Sequence, residues 1–375
     1  MATTTDSKPV GLFTEASLNG IRDIHDYYTM LAEEIVLADE LGFDFFATTQ
    51  SYGLDWPEST FSITPDPIAL FASCAPRTRR IKFMTGILVA AFHHPAITLS
   101  NIASLDQISN GRVMLGVGRG HPWLFDRLGF DQANSREKLH DFCAMTREIL
   151  DNPGKRHTIQ GKHWSVHDFE LLPPLITRPL EVFVAVTGSP ESALEAARAG
   201  YGILIPAYVG LPMEMAESAI TTYQTEHQKV WGRQGKHLLG VQLYANPDRE
   251  KAYELGTVAL AGQFKVFSRC QLSHAASAGP QYPAYKTIGE FMGRMSDLEE
   301  CRKTILAEWP RYMAIWGDAE QCLSRLQDVV ERLKPSGLIF NIDSGGIPMS
   351  EISDVMRYSA KEVLPGARKL LAAYD

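Results

Sequence analysis

The feature that most constrains the fold of this chain is a repeated alternation between short apolar runs and segments with helical periodicity. Residues 27–41, for example, place apolar side chains three or four positions apart and are followed by Gly42, a typical helix end. Residues 182–186 and 203–205 are apolar on both faces, as parallel strands buried on both sides are. Eight such strands in 375 residues predict an α/β fold, a (β/α)8 TIM barrel, rather than an open sheet. The predicted strands are residues 10–15, 43–50, 81–90, 112–118, 181–186, 202–207, 238–245 and 337–342.

Two segments interrupt the alternation and are interpreted as insertions in the barrel. Residues 157–172 predict a hairpin after the fourth helix, with Gly161 at its turn. Residues 268–285 mix Ser, Ala, Gly and Pro without a period, and they predict a mobile loop after the seventh helix. Because the composition does not shift along the chain, we expect one domain over residues 10–375, preceded by a disordered N-terminus at residues 1–9.

Charge and cysteine usage exclude several classes of protein. The net charge of −8 argues against a general binder of nucleic acid or anionic membranes. No apolar run approaches the ~20 residues of a membrane span, and no signal peptide is recognisable. The five cysteines are scattered without a C-x-x-C motif, and the histidines of the predicted hairpin lack a matching carboxylate cluster. We therefore expect a cytoplasmic protein without a metal site or disulfide framework.

Two strand ends carry residues suited to an anionic ligand, since the chemistry of a barrel lies at the carboxyl ends of its strands. Gly116-Val117-Gly118-Arg119-Gly120 lacks the third glycine and the helix start of a dinucleotide fingerprint, which leaves Arg119 as a cation. After the fifth strand, Ser189 suits an N-cap and Pro190 the first helical position. A helix start of this kind favours phosphate, so Arg119 and Ser189 together predict a phosphate site. A surface salt bridge and an ordinary N-cap are the alternative explanations.

Several motifs, in order and at the right spacing, resemble those of the bacterial-luciferase-like flavin-dependent monooxygenases. Residues 105–112 (L-D-Q-I-S-N-G-R) and 115–120 (L-G-V-G-R-G) resemble the family signature. Residues 130–136 are similar to the luciferase α chain after its fourth strand, and residues 186–200 resemble the fifth strand and phosphate helix. Residues 362–365 resemble the C-terminal helix of the family. The resemblance covers most of the chain and implies a TIM barrel that binds reduced FMN at the rim.

The resemblance also implies roles for particular residues. Arg119 and Ser189 are expected to hold the FMN phosphate, and the site is completed by the backbone near His121 and Gly188 and by Ser192. The segment Gly86-Ile87 matches a place where the family often has a non-prolyl cis peptide under the flavin ring. Four aromatic residues are expected to line an apolar substrate pocket, although each is equally suited to filling the core. They are Phe13, Trp56, Phe92 and Tyr208.

The chain departs from the family pattern where catalysis is concerned. Many members carry Glu-His-His at the end of the second strand, whereas here the positions read Gln50-Ser51-Tyr52. Gly118 stands where the luciferase α chain has a reactive cysteine, so we do not expect light emission. His94 matches a family histidine and, with Gln50, is the catalytic candidate. A histidine bonded to backbone is the alternative for the pair His93-His94.

The resemblance implies a two-component monooxygenase, in which reduced FMN and O2 form a flavin C4a-(hydro)peroxide that oxygenates a small or medium apolar organic substrate. The sequence has no obvious NAD(P)H-binding segment, so we expect a separate NAD(P)H:flavin reductase. A homodimer is the family expectation. Two alternatives remain: hydride transfer with the deazaflavin F420 on the same fold, and a non-catalytic flavin-binding or partner subunit.

Overall fold

A computed structural model describes most of the chain and shows the predicted barrel. It describes residues 8–16, 23–52, 63–187, 190–207, 210–278, 283–309, 311–344 and 347–374. The strands are β1 (Val10–Thr14), β2 (Phe45–Thr48), β3 (Lys82–Thr85), β4 (Leu88–Val89), β5 (Val113–Gly118), β6 (His157–Gln160), β7 (Ser165–Phe169), β8 (Val182–Ala185), β9 (Gly202–Pro206), β10 (His237–Ala245), β11 (Ala314–Gly317) and β12 (Gly337–Asp343).

The helices lie between the strands, as a βα repeat requires. They are α1 (Ile24–Leu41), α2 (Pro67–Cys74), α3 (Pro95–Ser109), α4 (Pro122–Leu128), α5 (Ser135–Asp151), α6 (Pro190–Arg198), α7 (Met213–Trp231), α8 (Arg249–Ala278), α9 (Pro283–Arg294), α10 (Leu298–Ala307), α11 (Ala319–Leu333), α12 (Met349–Tyr358) and α13 (Leu364–Ala372). Among the described residues, no helix combines the length and the apolar character needed to cross a bilayer.

The barrel closes through eight parallel strands in the order β1-β2-β3-β5-β8-β9-β10-β12, with β12 paired to β1. β4 adds to the end of β5, and β11 adds to the last four residues of β10. The inside is filled by one cluster of apolar side chains, while a larger cluster lies between the strands and the surrounding helices. Both faces of each strand are therefore buried, which explains the apolar runs in the sequence.

The predicted hairpin is confirmed, since β6 and β7 form an antiparallel pair. The sequence analysis did not predict β11, whose four residues are A-I-W-G. Of the predicted disordered N-terminus, only residues 8 and 9 are described. The ammonium group of Lys8 donates to the carbonyl oxygen of Tyr374 at 2.9 Å.

The prediction of a mobile loop over residues 268–285 is wrong. α8 continues to Ala278 and α9 begins at Pro283, while residues 279–282 lie outside the described residues. The end of α8 packs on two sides: the hydroxyl of Ser268 donates to the Gly289 carbonyl of α9, and Nδ1 of His274 lies 2.7 Å from the Asp126 carboxylate of α4. A helix with several buried faces has no single apolar stripe, so its sequence shows no helical period.

This correction predicts slow amide exchange over residues 264–274. Their backbone N–H groups are bonded within α8, and the side chains of Phe267, Cys270 and His274 are buried. We expect protection comparable to that of α11, measured by hydrogen–deuterium exchange and mass spectrometry. Complete exchange within seconds would contradict the helix and restore the mobile-loop interpretation.

Candidate active site

The floor of the barrel mouth is formed where β3 ends. The peptide between Gly86 and Ile87 is cis, as the resemblance implies. A Cβ atom added to Gly86 would lie 3.0 Å from Cε2 of Phe13 and 3.2 Å from Cβ of Ala47. Phe13 is buried and belongs to the cluster inside the barrel, so its ring packs against the backbone of Gly86 rather than lining an open pocket.

The end of β5 packs as closely against its neighbours as the end of β3 does. A Cβ atom on Gly118 would lie 3.0 Å from Cδ1 of Ile87 and 3.4 Å from Cβ of Ala185. Gly86 and Gly118 are buried, and neighbouring side chains fill the space that a Cβ atom would need, so these glycines let the strand ends pack closely at the floor of the mouth. A cysteine at position 118 would press against the Ile87 side chain.

A cationic rim lies beside this floor, between α5 and α6. Arg119 follows β5, and its Nη2 donates to the hydroxyl of Ser135 at the start of α5 at 3.2 Å. Nη1 of Arg136 lies 3.9 Å from the carboxylate of Glu195 in α6. Burial raises the pKa of Glu195, although the charges of Arg136, His140 and Arg119 oppose that shift.

The start of α6 lies on the same rim because β5 and β8, which precede Arg119 and α6, are paired. Ser192, in the first turn of α6, is buried. Two further predicted phosphate residues, Gly188 and Ser189, lie outside the described residues. The rim therefore brings Arg119 and Ser192 to neighbouring strand ends, together with Arg136, which the sequence analysis did not select.

The His121 side chain belongs to an aromatic wall. Its ring stacks on Trp123 with centroids 4.3 Å apart, and it meets Phe267 of α8 edge-on at 5.4 Å. His121 itself remains exposed to solvent beside these two rings.

The wall continues with Phe92, which is partly exposed. Its ring centroid lies 4.8 Å from those of Phe125 and Phe130 and 6.2 Å from that of Tyr52. Of the four predicted pocket residues, Phe92 thus lies in an aromatic cluster and Phe13 in the floor. Trp56 and Tyr208 lie outside the described residues.

The two adjacent histidines have different environments. Nδ1 of His94 accepts from the backbone N–H of Ala96 at the start of α3, and Nε2 lies 3.1 Å from the Ser165 carbonyl oxygen of β7. This is the backbone-bonded alternative, in which both ring nitrogens already have partners. Nε2 of His93 instead lies 2.9 Å from Oε1 of Gln50.

Gln50 itself is buried at the end of β2 and contacts four groups. Its Oε1 accepts from the backbone N–H of Val89 at 3.0 Å and faces His93. Its Nε2 donates to the hydroxyl of Tyr52 at 2.9 Å and to the carbonyl oxygen of Pro65 at 3.1 Å. The structure therefore brings Gln50 together with His93, and not with His94.

A buried polar group lies inside the mouth where β10, β12 and β1 end. Gln242 and Asn341 are register partners and continue the inward faces of Leu238 and Ile339. Within the described residues, Oε1 of Gln242 and Nδ2 of Asn341 have no hydrogen-bond partner. Gln263 of α8 joins Gln242 to Glu15, with a distance of 3.3 Å in each hydrogen bond.

Glu15 is held neutral at this position. Burial, and secondarily the charge of Asp343, raises its pKa from 4.5 to about 8. Glu15 and Asn341 stand at strand ends in the sequence, but Gln242 was missed. The sequence feature that could have identified Gln242 is its single amide side chain among the otherwise apolar residues 238–245.

The family model for luciferase-like monooxygenases matches residues 10–334. The chain belongs to this family. A 4-hydroxyprotoasukamycin monooxygenase of Streptomyces nodosus subsp. asukaensis is 31% identical over 136 residues, which are 36% of this chain and 34% of that protein. This chain thus matches about a third of that relative's length.

Other members of the luciferase-like family differ in cofactor. An F420-dependent glucose-6-phosphate dehydrogenase of Amycolatopsis mediterranei is 26% identical over 262 residues, 65% of this chain and 72% of that protein. The oxygenating constituent of 3,6-diketocamphane monooxygenase from Pseudomonas putida, solved in complex with FMN, has a TM-score of 0.70 at 17% identity. That alignment covers 96% of this chain and 98% of that one. The structural likeness shows a common fold.

The neutral state of Glu15 predicts a pH dependence of stability. Between pH 4.5, where the unfolded carboxyl titrates, and about pH 8, the native protein holds one proton more than the unfolded chain. The free energy of unfolding therefore falls as pH rises through this window, by at most about 1.4 kcal/mol per pH unit. Glu15→Gln removes this loss of unfolding free energy. The Tm of the variant minus the Tm of the parent protein should therefore increase from pH 5 to pH 8.

Glu40→Gln, at an exposed position of α1, is the matched control and should show a constant Tm difference. Thermal unfolding followed by circular dichroism at both pH values makes the comparison. A Tm difference for Glu15→Gln that does not change with pH would mean that Glu15 is ionised in the folded protein.

Proposed function

We propose that this protein is the oxygenase component of an FMN-dependent two-component monooxygenase that acts on small or medium apolar organic molecules. A separate NAD(P)H:flavin reductase, a homodimer and a cytoplasmic location are parts of the same proposal. The observation that carries it is the cationic rim of Arg119 and Arg136 beside the closely packed glycine backbone of Gly86 and Gly118. A phosphate and a planar ring system need these two surfaces side by side.

The residues present fit FMN in their chemistry. Arg119 and Ser192, with the start of α6, would bind the phosphate, and the backbone at Gly86 and Gly118 would support the ring. When bound, reduced FMN supplies the electrons that activate O2 for oxygen insertion. The aromatic wall of Phe92, Trp123 and Phe267 would exclude water and favour an apolar substrate.

Hydride transfer with F420 is the second candidate. It is favoured by the alignment with an F420-dependent dehydrogenase over 65% of this chain, and the same rim suits the F420 phosphate. The two candidates differ in their use of O2, because hydride transfer proceeds without it. A non-catalytic partner subunit would neither oxygenate a substrate nor transfer hydride.

A coupled assay distinguishes these functions. The purified chain is mixed with a generic flavin reductase, NADH, FMN and a panel of apolar organic compounds in 18O2. We expect at least one compound to gain one labelled oxygen atom. In a parallel anaerobic assay, oxidation of reduced F420 by a compound of the panel would overturn the monooxygenase proposal in favour of hydride transfer. Inactivity in both assays would favour the partner subunit.

The cationic rim predicts the effect of Arg119→Ala on FMN affinity. Loss of a charge-assisted hydrogen bond should weaken binding by roughly 1.5–3 kcal/mol, or about 10- to 150-fold in Kd. Flavin fluorescence or calorimetry measures the change. Riboflavin is the matched control ligand, because it lacks the phosphate and should bind both proteins equally. An unchanged Kd for FMN would place the phosphate elsewhere.

A further inference from the structure

The orientation of the Gln50 amide is fixed by two backbone groups. Oε1 lies 3.0 Å from the N–H of Val89, which can only donate, and Nε2 lies 3.1 Å from the carbonyl oxygen of Pro65, which can only accept. Exchanging the amide oxygen and nitrogen would break both bonds. The position of the Gln50 oxygen is therefore determined by the backbone and does not depend on the side chains around it.

This orientation determines the tautomer of His93. Its Nε2 lies 2.9 Å from Oε1 of Gln50, which is an acceptor, so Nε2 must carry the hydrogen. In the neutral ring, Nδ1 then bears the lone pair. Within the part of the chain that the structure describes, no hydrogen bond engages Nδ1. His93 thus presents a proton acceptor beside the end of β2.

The same amide also orients Tyr52. The hydroxyl oxygen of Tyr52 accepts from Nε2 of Gln50 at 2.9 Å, so its own hydrogen can be donated to another group. The Tyr52 ring lies edge-on to Phe92 in the aromatic wall. One buried amide therefore prepares an acceptor at His93 and a donor at Tyr52, next to the apolar surface.

We propose that His93 is the base for the substrate, that Tyr52 is the accompanying hydrogen-bond donor, and that Gln50 is their positioning residue. This inference rests on the proposed function. The substrate class is an organic molecule with a weakly acidic O–H or N–H group. Nδ1 of His93 takes that proton and later releases it to solvent, while the Tyr52 hydroxyl donates a hydrogen bond to the atom that becomes negative.

The electrostatic surroundings agree with a base that is neutral at pH 7. Burial lowers the pKa of His93, and the carboxylate of Asp66, just before α2, opposes the shift. The phenol of Tyr52 has a raised pKa, chiefly through burial, and so keeps its proton. Both groups are therefore in the protonation state that the proposal needs.

The first test requires neither substrate nor flavin. Long-range 1H–15N correlation spectra of the labelled full chain report which ring nitrogen of His93 carries hydrogen, and His93→Gln assigns the signal. We expect hydrogen on Nε2 and titration below pH 6.5. Gln50→Glu keeps an acceptor for Val89 and His93 but adds a charge, so it should raise the pH at which His93 titrates. Hydrogen on Nδ1, or a titration that Gln50→Glu leaves unchanged, would overturn the proposal.

The second test uses a substrate found in the coupled assay. His93→Gln should lower kcat about 100-fold or more with little change in KM, and Tyr52→Phe at least about 10-fold. The acid limb of the kcat/KM profile should follow the His93 pKa and move to higher pH in Gln50→Glu. His167→Gln, on the exposed side of the hairpin, is the control. Full activity of His93→Gln would overturn the proposal.

FMN affinity separates this proposal from the proposed function. His93→Gln should bind FMN like the parent protein, because His93 does not contact the cationic rim. If the parent protein itself binds no FMN, the proposed function fails, while the nuclear magnetic resonance result still decides the tautomer of His93.

Discussion

The arrangement of the barrel mouth depends on the buried amide of Gln50. This side chain joins the end of β2 to Val89, beyond the cis peptide of Gly86 and Ile87, and to His93 and Tyr52. All four hydrogen-bonding positions of the amide are used. A buried amide with all its hydrogen bonds made has one orientation. That orientation determines which nitrogen of the His93 ring carries hydrogen and leaves the Tyr52 hydroxyl free to donate.

The charge distribution divides the mouth into two halves. Two guanidinium groups, those of Arg119 and Arg136, lie on the side of β5 and β8, where the carboxylates of Glu191 and Glu195 are 4.0 and 3.9 Å from Arg136. On the opposite side of the barrel, Glu15, Gln242 and Asn341 are neutral and lie near the charge of Asp343. Desolvation keeps Glu15 neutral, because ionising a buried carboxyl costs more solvation free energy than its surroundings return. An anionic tail therefore prefers one side, and a neutral hydrogen-bonding group the other.

The end of α8 closes this mouth from one side, and it contains the main error of the sequence analysis. Phe267 meets His121 and Trp123, and His274 pairs with Asp126 of α4. The partners are about 150 positions apart in the chain, so no local pattern reports them.

The sequence alone determined the barrel, the hairpin, the family and the choice of Arg119, because these follow from local periodicity and from motifs of adjacent residues. It also located Gln50 and the pair His93-His94 at strand ends. Only the tertiary structure decided which histidine faces Gln50, that Phe13 lies in the floor, and that Gln263 joins Gln242 to Glu15. These relations are set by strand register and by side-chain direction between distant segments. Periodicity along the chain carries no information on either.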